Sequence, residues 1–159
     1  RDLARNARLF AGVAQAMDDA LIAVFDAKYH YNFWRPTTAI RNADSDGHDA
    51  TAREASWTAL IDAPLHPEYP SGHSILAAAV AQVIDADTPR RGALQLSTSS
   101  PTAKGVTRRW HKLDDFMREV SDARVHAGIH FRSATDTGEA MGQRIGELAA
   151  GQVLRSGDQ

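Results

Sequence analysis

The hydrophobic and polar positions along the chain predict a helical protein. Apolar residues recur at steps of three and four from Leu3 to Lys28 and again from Leu113 to Gly128, as in amphipathic helices. Small and branched residues from His73 to about Ile84 favour a helix buried on most sides. A further helix of small residues is predicted from Thr135 to Leu154.

Polar stretches separate these segments. Residues 42–51 predict a turn-rich loop whose Asp49 or Thr51 caps a short helix that runs to about Ile61. The Ser/Thr-rich stretch 95–105 predicts a connection without a regular period. Because neither an internal repeat nor a strand pattern is evident, the predicted fold is all-α, a bundle of about five or six helices.

Composition limits the classes of function. The 159 residues suit a single domain, 1–159, and the bare start at Arg1 within a helical pattern suggests the C-terminal part of a longer protein. A formal charge of -2 provides no general attraction to nucleic acid, and the absence of cysteine excludes thiolate chemistry. No apolar run is long enough to span a bilayer. Export to the periplasm or medium, with the targeting segment outside this chain, and homo-oligomerisation both stay open.

Three short segments concentrate residues with chemical potential. They are Lys28 with Arg35, the stretch Pro70-Ser71-Gly72-His73, and Arg124 with His130. Each alone has an ordinary explanation: a solvated helix end, a serine-capped helix start, or a surface cation near a core histidine. Their combination is what suggests a site.

Together the three segments suit a tetrahedral oxyanion such as phosphate. Two arginines offer forked donors, and a lysine adds a compact charge. Ser71 and Gly72 precede a predicted helix, whose N-terminal N–H groups and dipole favour an anion. Two histidines could then supply a nucleophilic or coordinating nitrogen and a proton carrier.

The order and spacing of these segments resemble the signature of the superfamily that contains vanadium-dependent haloperoxidases and type 2 phosphatidic-acid phosphatases. The surrounding text, "YNFWRPTTAIR", "HPEYPSGHS" and "AGIHFRSATDTGEAMG", resembles the haloperoxidase-like branch from about residue 20 to residue 150. The resemblance implies a helical bundle with the oxyanion site between helices. It also implies vanadate, or phosphate in the same place, and no divalent metal.

The resemblance further implies a role for each motif residue. His130 would be the axial nitrogen, a vanadium ligand or a phosphatase nucleophile, and His73 the acid–base partner. The residues expected to hold the equatorial oxygens are Lys28, Arg35, Ser71, Gly72 and Arg124. The substrates would be small: hydrogen peroxide with a halide, or a phosphate ester.

The sequence departs from the family pattern at two positions. Ala123 stands where Ser often precedes the last arginine, and Ala134 stands where Asp often follows the last histidine. That carboxylate belongs to the network that supports the imidazole in the family. Asp136 is a poor substitute on a helix, because six residues turn it away from His130, which leaves a backbone carbonyl as one group that could still hold the ring.

His66 bears on which chemistry the site performs. A second histidine at this point before "PSGH" resembles bromide-oxidising members, whereas chloride-oxidising members tend to carry an aromatic residue. It is therefore assigned to a halide and peroxide pocket, although "HPEYPSGH" is also ordinary loop text in the branch. Phe33 and Trp34 fit the core better than the pocket. A zinc pair of His126 and His130 lacks the intervening Glu and a third ligand.

Three functions remain open from the sequence. The first is a vanadate-dependent haloperoxidase, an oxidoreductase that uses hydrogen peroxide to oxidise bromide or iodide. The second is a metal-free acid phosphatase that works through a phosphohistidine. The third is a phosphate or vanadate binder without catalysis. The halide, the organic acceptor and the oligomeric state are not given by the sequence.

Overall fold

The computed structural model describes residues 2–88 and 94–154. Its elements are α1 (Leu3–Tyr31), α2 (Pro36–Arg41), a 3-10 turn (Ala43–Ser45), α3 (Gly72–Asp87), β1 (Leu96–Ser99), β2 (Thr107–Trp110), α4 (Leu113–His126) and α5 (Arg132–Val153). The predicted all-α fold is therefore confirmed, with a small two-stranded hairpin added. Within these two ranges, no helix is long and apolar enough to cross a membrane.

The bundle is organised around α3, which packs against α1, α4 and α5. Its alanines at 77, 78, 79 and 81 are buried together with Ile75 and Val83. Helix α1 contributes Ala16, Ala20 and Val24 to the same core. Small side chains let the helices approach closely, and their burial removes apolar surface from water. The first turn of α3 is thereby held at the centre of the molecule.

Helix α5 crosses α3 through a stripe of glycines four residues apart, Gly138, Gly142 and Gly146. A Cβ at Gly138 would lie 2.7 Å from the carbonyl oxygen of Ser71, and at the other two it would meet backbone atoms of α3. Only glycine permits this approach of two backbones. The stripe therefore fixes where α3 begins relative to α5.

Only one side of the predicted apolar stripe of α1 is buried. Leu9 and Val13 pack on the core, whereas Leu3 and Phe10 are exposed by 86% and 73%. The helix thus carries a second apolar face, which is directed to solvent in this chain. Periodicity predicted the helix but not which of its apolar residues would be covered.

Two predictions about the connections are wrong. Residues 51–61 form turns and extended chain instead of a helix, tied to α2 where Nε of Arg41 donates to the Trp57 carbonyl at 2.7 Å and the N–H of Glu54 to the Ile40 carbonyl at 3.1 Å. The stretch 95–105 begins the hairpin, in which Leu96 pairs with Trp110 and Ser99 with Thr107. The side chains of these strands are mostly exposed, so they lack the alternation by which a strand is recognised.

Candidate active site

Lys28 organises the loop that precedes α3. It lies one turn after Val24 on the buried side of α1 and is fully buried. Its Nζ donates to the carbonyl oxygens of Pro67 at 3.0 Å, Glu68 at 2.9 Å and Pro70 at 2.5 Å. An ammonium group has three donors, so all of them bind the loop. Burial, reinforced by the charge of Arg35, lowers the pKa of Lys28 to about 8.

Arg35 joins the same loop to the segment after α4. It directly precedes α2, where Pro36 begins the helix, and it is 7% exposed. Its Nη1 lies 2.8 Å from the Ile129 carbonyl and 3.2 Å from Nε2 of His130, and its Nη2 lies 3.2 Å from Nδ1 of His66. Because a guanidinium can only donate, Nε2 of His130 acts as an acceptor towards it, whereas the role of Nδ1 of His66, which also lies 3.2 Å from the Pro67 carbonyl, depends on the tautomer.

A buried carboxylate that was not predicted holds His130. Oε1 of Glu68 lies 2.6 Å from Nδ1 of His130 and also accepts the backbone N–H of Phe131 at 2.9 Å. Since an ionised carboxylate only accepts, Nδ1 carries the proton and Nε2 keeps its lone pair. Burial lowers the pKa of His130, although its hydrogen bond to Glu68 acts in the opposite direction. The imidazole is therefore neutral, and the lone pair of Nε2, which accepts from Arg35 in this structure, becomes a base, ligand or nucleophile when Arg35 turns away.

A glycine turn brings His130 to this position. Helix α4 ends at His126, and Gly128 then adopts a φ of 74°. Residues other than glycine adopt such a positive φ only with backbone strain. A Cβ at Gly128 would also lie 2.9 Å from the ring of Trp57. The N–H of Leu60 donates to the Ala127 carbonyl at 3.0 Å, so the irregular segment 51–61 supports the turn.

Ser71 and Gly72 form the N-terminus of α3. The side chain of Ser71 caps the helix by accepting the Ser74 N–H at 3.4 Å, while its own N–H donates to the Ala134 carbonyl at 2.9 Å. The N–H groups of Gly72 and His73 come too early in the helix to have an intrahelical acceptor. A Cβ at Gly72 would have no neighbour within 4 Å, so its backbone is accessible. These two amides are the helix donors available to an anion.

Arg124 lies in the last turn of α4 and is half-buried. Its Nε is buried and has no hydrogen-bond partner among residues 2–88 and 94–154. A buried donor without a partner is costly and uncommon in folded proteins. Its charge acts on both Arg35 and His73, which places all three cationic or titratable groups in one region.

His73 is the most accessible of the predicted residues. Its side chain is exposed overall, but the protein that surrounds part of the ring, and then the charge of Arg124, lower its pKa from 6.5 to about 4. Weaker effects come from His130, His66 and Lys28. The imidazole is therefore neutral near pH 7, which leaves its lone pair available but makes it a weak base.

His66 lies between the cluster and α1. Its ring makes a T-shaped contact with Phe25 at 5.3 Å between centroids, and its Nδ1 is 3.2 Å from both Nη2 of Arg35 and the Pro67 carbonyl. Burial lowers its pKa. Phe33 is 47% exposed and contacts Phe131, so it does not belong to the core as predicted.

The structure brings the predicted residues into one network at the start of α3. Contacts or mutual charge effects connect Lys28, Arg35, His66, His73, Arg124 and His130, and Ser71 with Gly72 begins the helix beside them. Lys28 and Arg35 use their donors on the protein itself, which differs from their expected direct role with oxygens. Sequence analysis missed Glu68; its one signal is an acidic residue between two prolines in a loop that otherwise carries the motif.

The family departures have clear structural consequences. The backbone carbonyl of Ala134 accepts the N–H of Ser71, and the ring of His130 is held by the carboxylate of Glu68. Asp136 lies on another side of α5, where it lines a cavity of about 310 Å³ with Glu139. His126 lines a different cavity of about 420 Å³, so it does not pair with His130.

The helical bundle and the comparison with family models together give the class of the chain, that of the vanadium haloperoxidases. The chain belongs to that family: the family model described as "VCPO second helical-bundle domain" matches residues 8–158. Among particular relatives, the vanadium chloroperoxidase of Curvularia inaequalis is 33% identical over an alignment of 84 residues, with a coverage of 49% of this chain and 14% of that protein.

Solved structures agree with this assignment. A bacterial vanadium-dependent iodoperoxidase superposes with a TM-score of 0.79 at 26% identity, covering 94% of this chain and 34% of its own. The holo form of a bacterial vanadium-dependent chloroperoxidase superposes with a TM-score of 0.70 over 91% of this chain and 35% of its own, and at 24% identity it supports the fold alone. The chain thus spans about a third of the length of these structures.

Proposed function

We propose that this chain carries the oxyanion centre of a vanadate-dependent haloperoxidase that oxidises bromide or iodide with hydrogen peroxide. The observation that carries the proposal is the state of His130, whose Nδ1–H is held by Glu68 at 2.6 Å while Nε2 keeps its lone pair. A metal ligand needs a neutral imidazole oriented by a hydrogen bond on its other nitrogen. The family assignment supports the same role.

The net charge of the cluster suits an oxyanion that carries two negative charges. Lys28, Arg35 and Arg124 carry three positive charges and Glu68 one negative, so the cluster has a net charge of two positive when its imidazoles are neutral. The unpartnered Nε of Arg124 fits such a group, because an oxygen would complete its hydrogen bonding. Vanadate bound there would supply the Lewis acidity that activates peroxide.

Each protein group has a distinct task in this proposal. Arg124 and the amides of Gly72 and His73 donate to oxygens. Arg35 exchanges its contacts with His130 and His66 for oxygens of the anion. Lys28 contributes its charge and the position of the loop, because its three donors are used on carbonyls.

His73 would accept a proton from hydrogen peroxide. A neutral imidazole is required for this step, and the lowered pKa of about 4 keeps it neutral over the physiological range; because the same shift makes it a weak base, the proton would come only from a peroxide made more acidic by bound vanadate. Its exposure gives substrates access from solvent. His66, beside Arg35 and Phe25, is our candidate for the halide pocket of a bromoperoxidase-like site.

An acid phosphatase is the second candidate, favoured by the same free Nε2 of His130. That nitrogen could attack phosphorus, forming an N–P bond as the bond to the ester oxygen breaks, and water would then release phosphate. Such a pocket binds vanadate as well, since vanadate adopts the five-coordinate geometry of phosphoryl transfer. A binder without turnover is the third candidate.

Assays with and without vanadate separate the candidates. Peroxide-dependent bromination of a phenolic dye that requires vanadate supports the haloperoxidase. Hydrolysis of a phenyl phosphate that vanadate inhibits supports the phosphatase, and vanadate binding without either activity supports the binder. His130→Ala should abolish whichever property is found, whereas the exposed His48→Ala should not. Equal vanadate binding by His130→Ala and the parent would refute the site.

A further inference from the structure

Three buried hydroxyl groups connect the candidate anion-binding site at the start of α3, called the oxyanion cluster below, to a carboxyl group on α5. Oγ of Ser74 lies 3.1 Å from Oγ of Ser71 and 2.9 Å from Oγ of Ser121 on α4. Ser121 is in turn hydrogen-bonded to Oε1 of Glu139. The three serines are at most 1% exposed, whereas Glu139 is only partly buried. The line therefore runs from the start of α3 to the edge of the bundle.

Each contact along this line of hydroxyl groups needs one proton between its two oxygen atoms. Ser71 accepts both the N–H and the hydroxyl of Ser74, so its own proton is left for the oxyanion cluster. Ser74 has only one hydroxyl proton, so the 2.9 Å contact needs the proton of Ser121. The contact between Ser121 and Glu139 then needs a proton on the carboxyl group. In this arrangement Glu139 is neutral and every hydroxyl donates towards the cluster.

An ionised Glu139 reverses the direction. The carboxylate only accepts, so Ser121 must donate to it, Ser74 must donate to Ser121, and Ser71 must donate to Ser74 to keep each contact. The proton of Ser71 is then turned away from the cluster. One proton on Glu139 thus selects between a Ser71 that donates to an anion and a Ser71 that does not.

We propose that Glu139 is a positioning residue that acts through Ser121 and Ser74 to set whether Ser71 donates to a bound oxyanion. This rests on the proposed function, since it requires an oxyanion beside Ser71. The charged groups that line the 310 Å³ cavity with Glu139 are Asp114, Arg118 and Asp122 from α4 and Arg132 and Asp136 from α5. Arg132 is paired with Asp122 at 2.7 Å.

Glu139→Gln tests the proposal, because its amide can donate to Ser121 at every pH. Vanadate dissociation constants are measured by titration for the parent and the variant over a pH series. The ratio of the two dissociation constants at each pH removes the effect of vanadate ionisation, which is the same for both proteins. We expect equal affinity where the carboxyl group of the parent is protonated and, at higher pH, up to ~5-fold tighter binding by the variant, the effect of one hydrogen bond.

Control variants distinguish the hydrogen-bond relay from Glu139 to Ser71 from the oxyanion site itself. Glu147→Gln, at an exposed position of the same helix, should match the parent at every pH. Ser121→Ala should remove the advantage of Glu139→Gln, and Ser121→Thr, which keeps a hydroxyl, should restore it. A ratio that stays flat with pH while the parent binds vanadate refutes the relay alone. A parent that does not bind vanadate refutes the oxyanion site and, with it, the relay.

Discussion

Nδ1 of His130 lies 2.6 Å from Oε1 of Glu68, and the two side chains are only 2% and 1% exposed. Lys28 donates to the backbone carbonyl of Glu68, and its charge and that of Arg35 interact with the buried carboxylate. The hydrogen bonds are made by Oε1, whereas the buried Oε2 has no partner among residues 2–88 and 94–154, so the neighbouring cations carry much of the compensation for this buried charge. The pair sets the tautomer of His130 and thereby defines which nitrogen is available for chemistry.

Replacing Glu68 should therefore weaken the site without removing it. Glu68→Gln keeps an oxygen that can accept from Nδ1 but loses the charge that raises the basicity of the ring. We expect vanadate affinity or turnover to fall by ~10- to 100-fold, as for other groups that orient a metal ligand. The exposed Glu54→Gln is the control. Parent-like turnover in Glu68→Gln would contradict the assigned role.

Arg124 should show a conflict between stability and function. Its buried Nε has no hydrogen-bond partner in the described part of the chain, which costs ~1–3 kcal/mol. We expect Arg124→Met to leave the free energy of unfolding in urea unchanged or raised, while anion affinity falls by more than ~10-fold, or about 1.4 kcal/mol. Arg144→Met, at an exposed position of α5, serves as the comparison. Lower stability with unchanged affinity would show that Arg124 is structural.

The glycine stripe predicts a large difference between two similar substitutions in α5. A Cβ at Gly142 would collide with backbone atoms of α3, so Gly142→Ala should destabilise the chain by ~1–3 kcal/mol. Gly151 has no atom within 4 Å of such a Cβ, so Gly151→Ala should be neutral or stabilise by up to ~1 kcal/mol through helix propensity. Thermal unfolding of both variants checks this, and equal shifts would mean that α3 and α5 are not in close backbone contact.

Lys28 gives the site a pH dependence on the alkaline side. Its pKa of about 8 means that the folded protein loses one positive charge as pH rises through 8, whereas the unfolded chain retains that proton up to about 10.5. Between these values Lys28 raises the free energy of unfolding with pH while anion affinity falls. Sulfate, whose charge is constant in this range, should bind more weakly at pH 9 than at pH 7.

Lys104→Gln is the control, because Lys104 is exposed in the turn between β1 and β2. It should leave the pH dependence of sulfate affinity unchanged. A sulfate affinity for the parent that is the same at pH 7 and pH 9 would be incompatible with a buried Lys28 of lowered pKa.

The sequence predicted the parts of this structure that depend on local pattern. Long periodic segments predicted α1, α3, α4 and α5, and the motif spacing singled out Arg35, His73 and His130, which the structure brings near one another. It could not show that Lys28 uses its donors on the loop, because that depends on where residues 67–70 fold back over α1. Glu68 was missed for the same reason: its partner is 62 residues away. The hairpin escaped notice because its short strands bury too little to impose alternation.

The most direct test of the central claim is a crystal structure of the chain soaked in vanadate. We expect vanadium within bonding distance of Nε2 of His130, with its oxygens accepting from Arg124 and the amide of Gly72 and with Glu68 still bound to Nδ1. Vanadate bound elsewhere, or a His130 whose Nε2 stays on Arg35 at saturating vanadate, would contradict the proposed site.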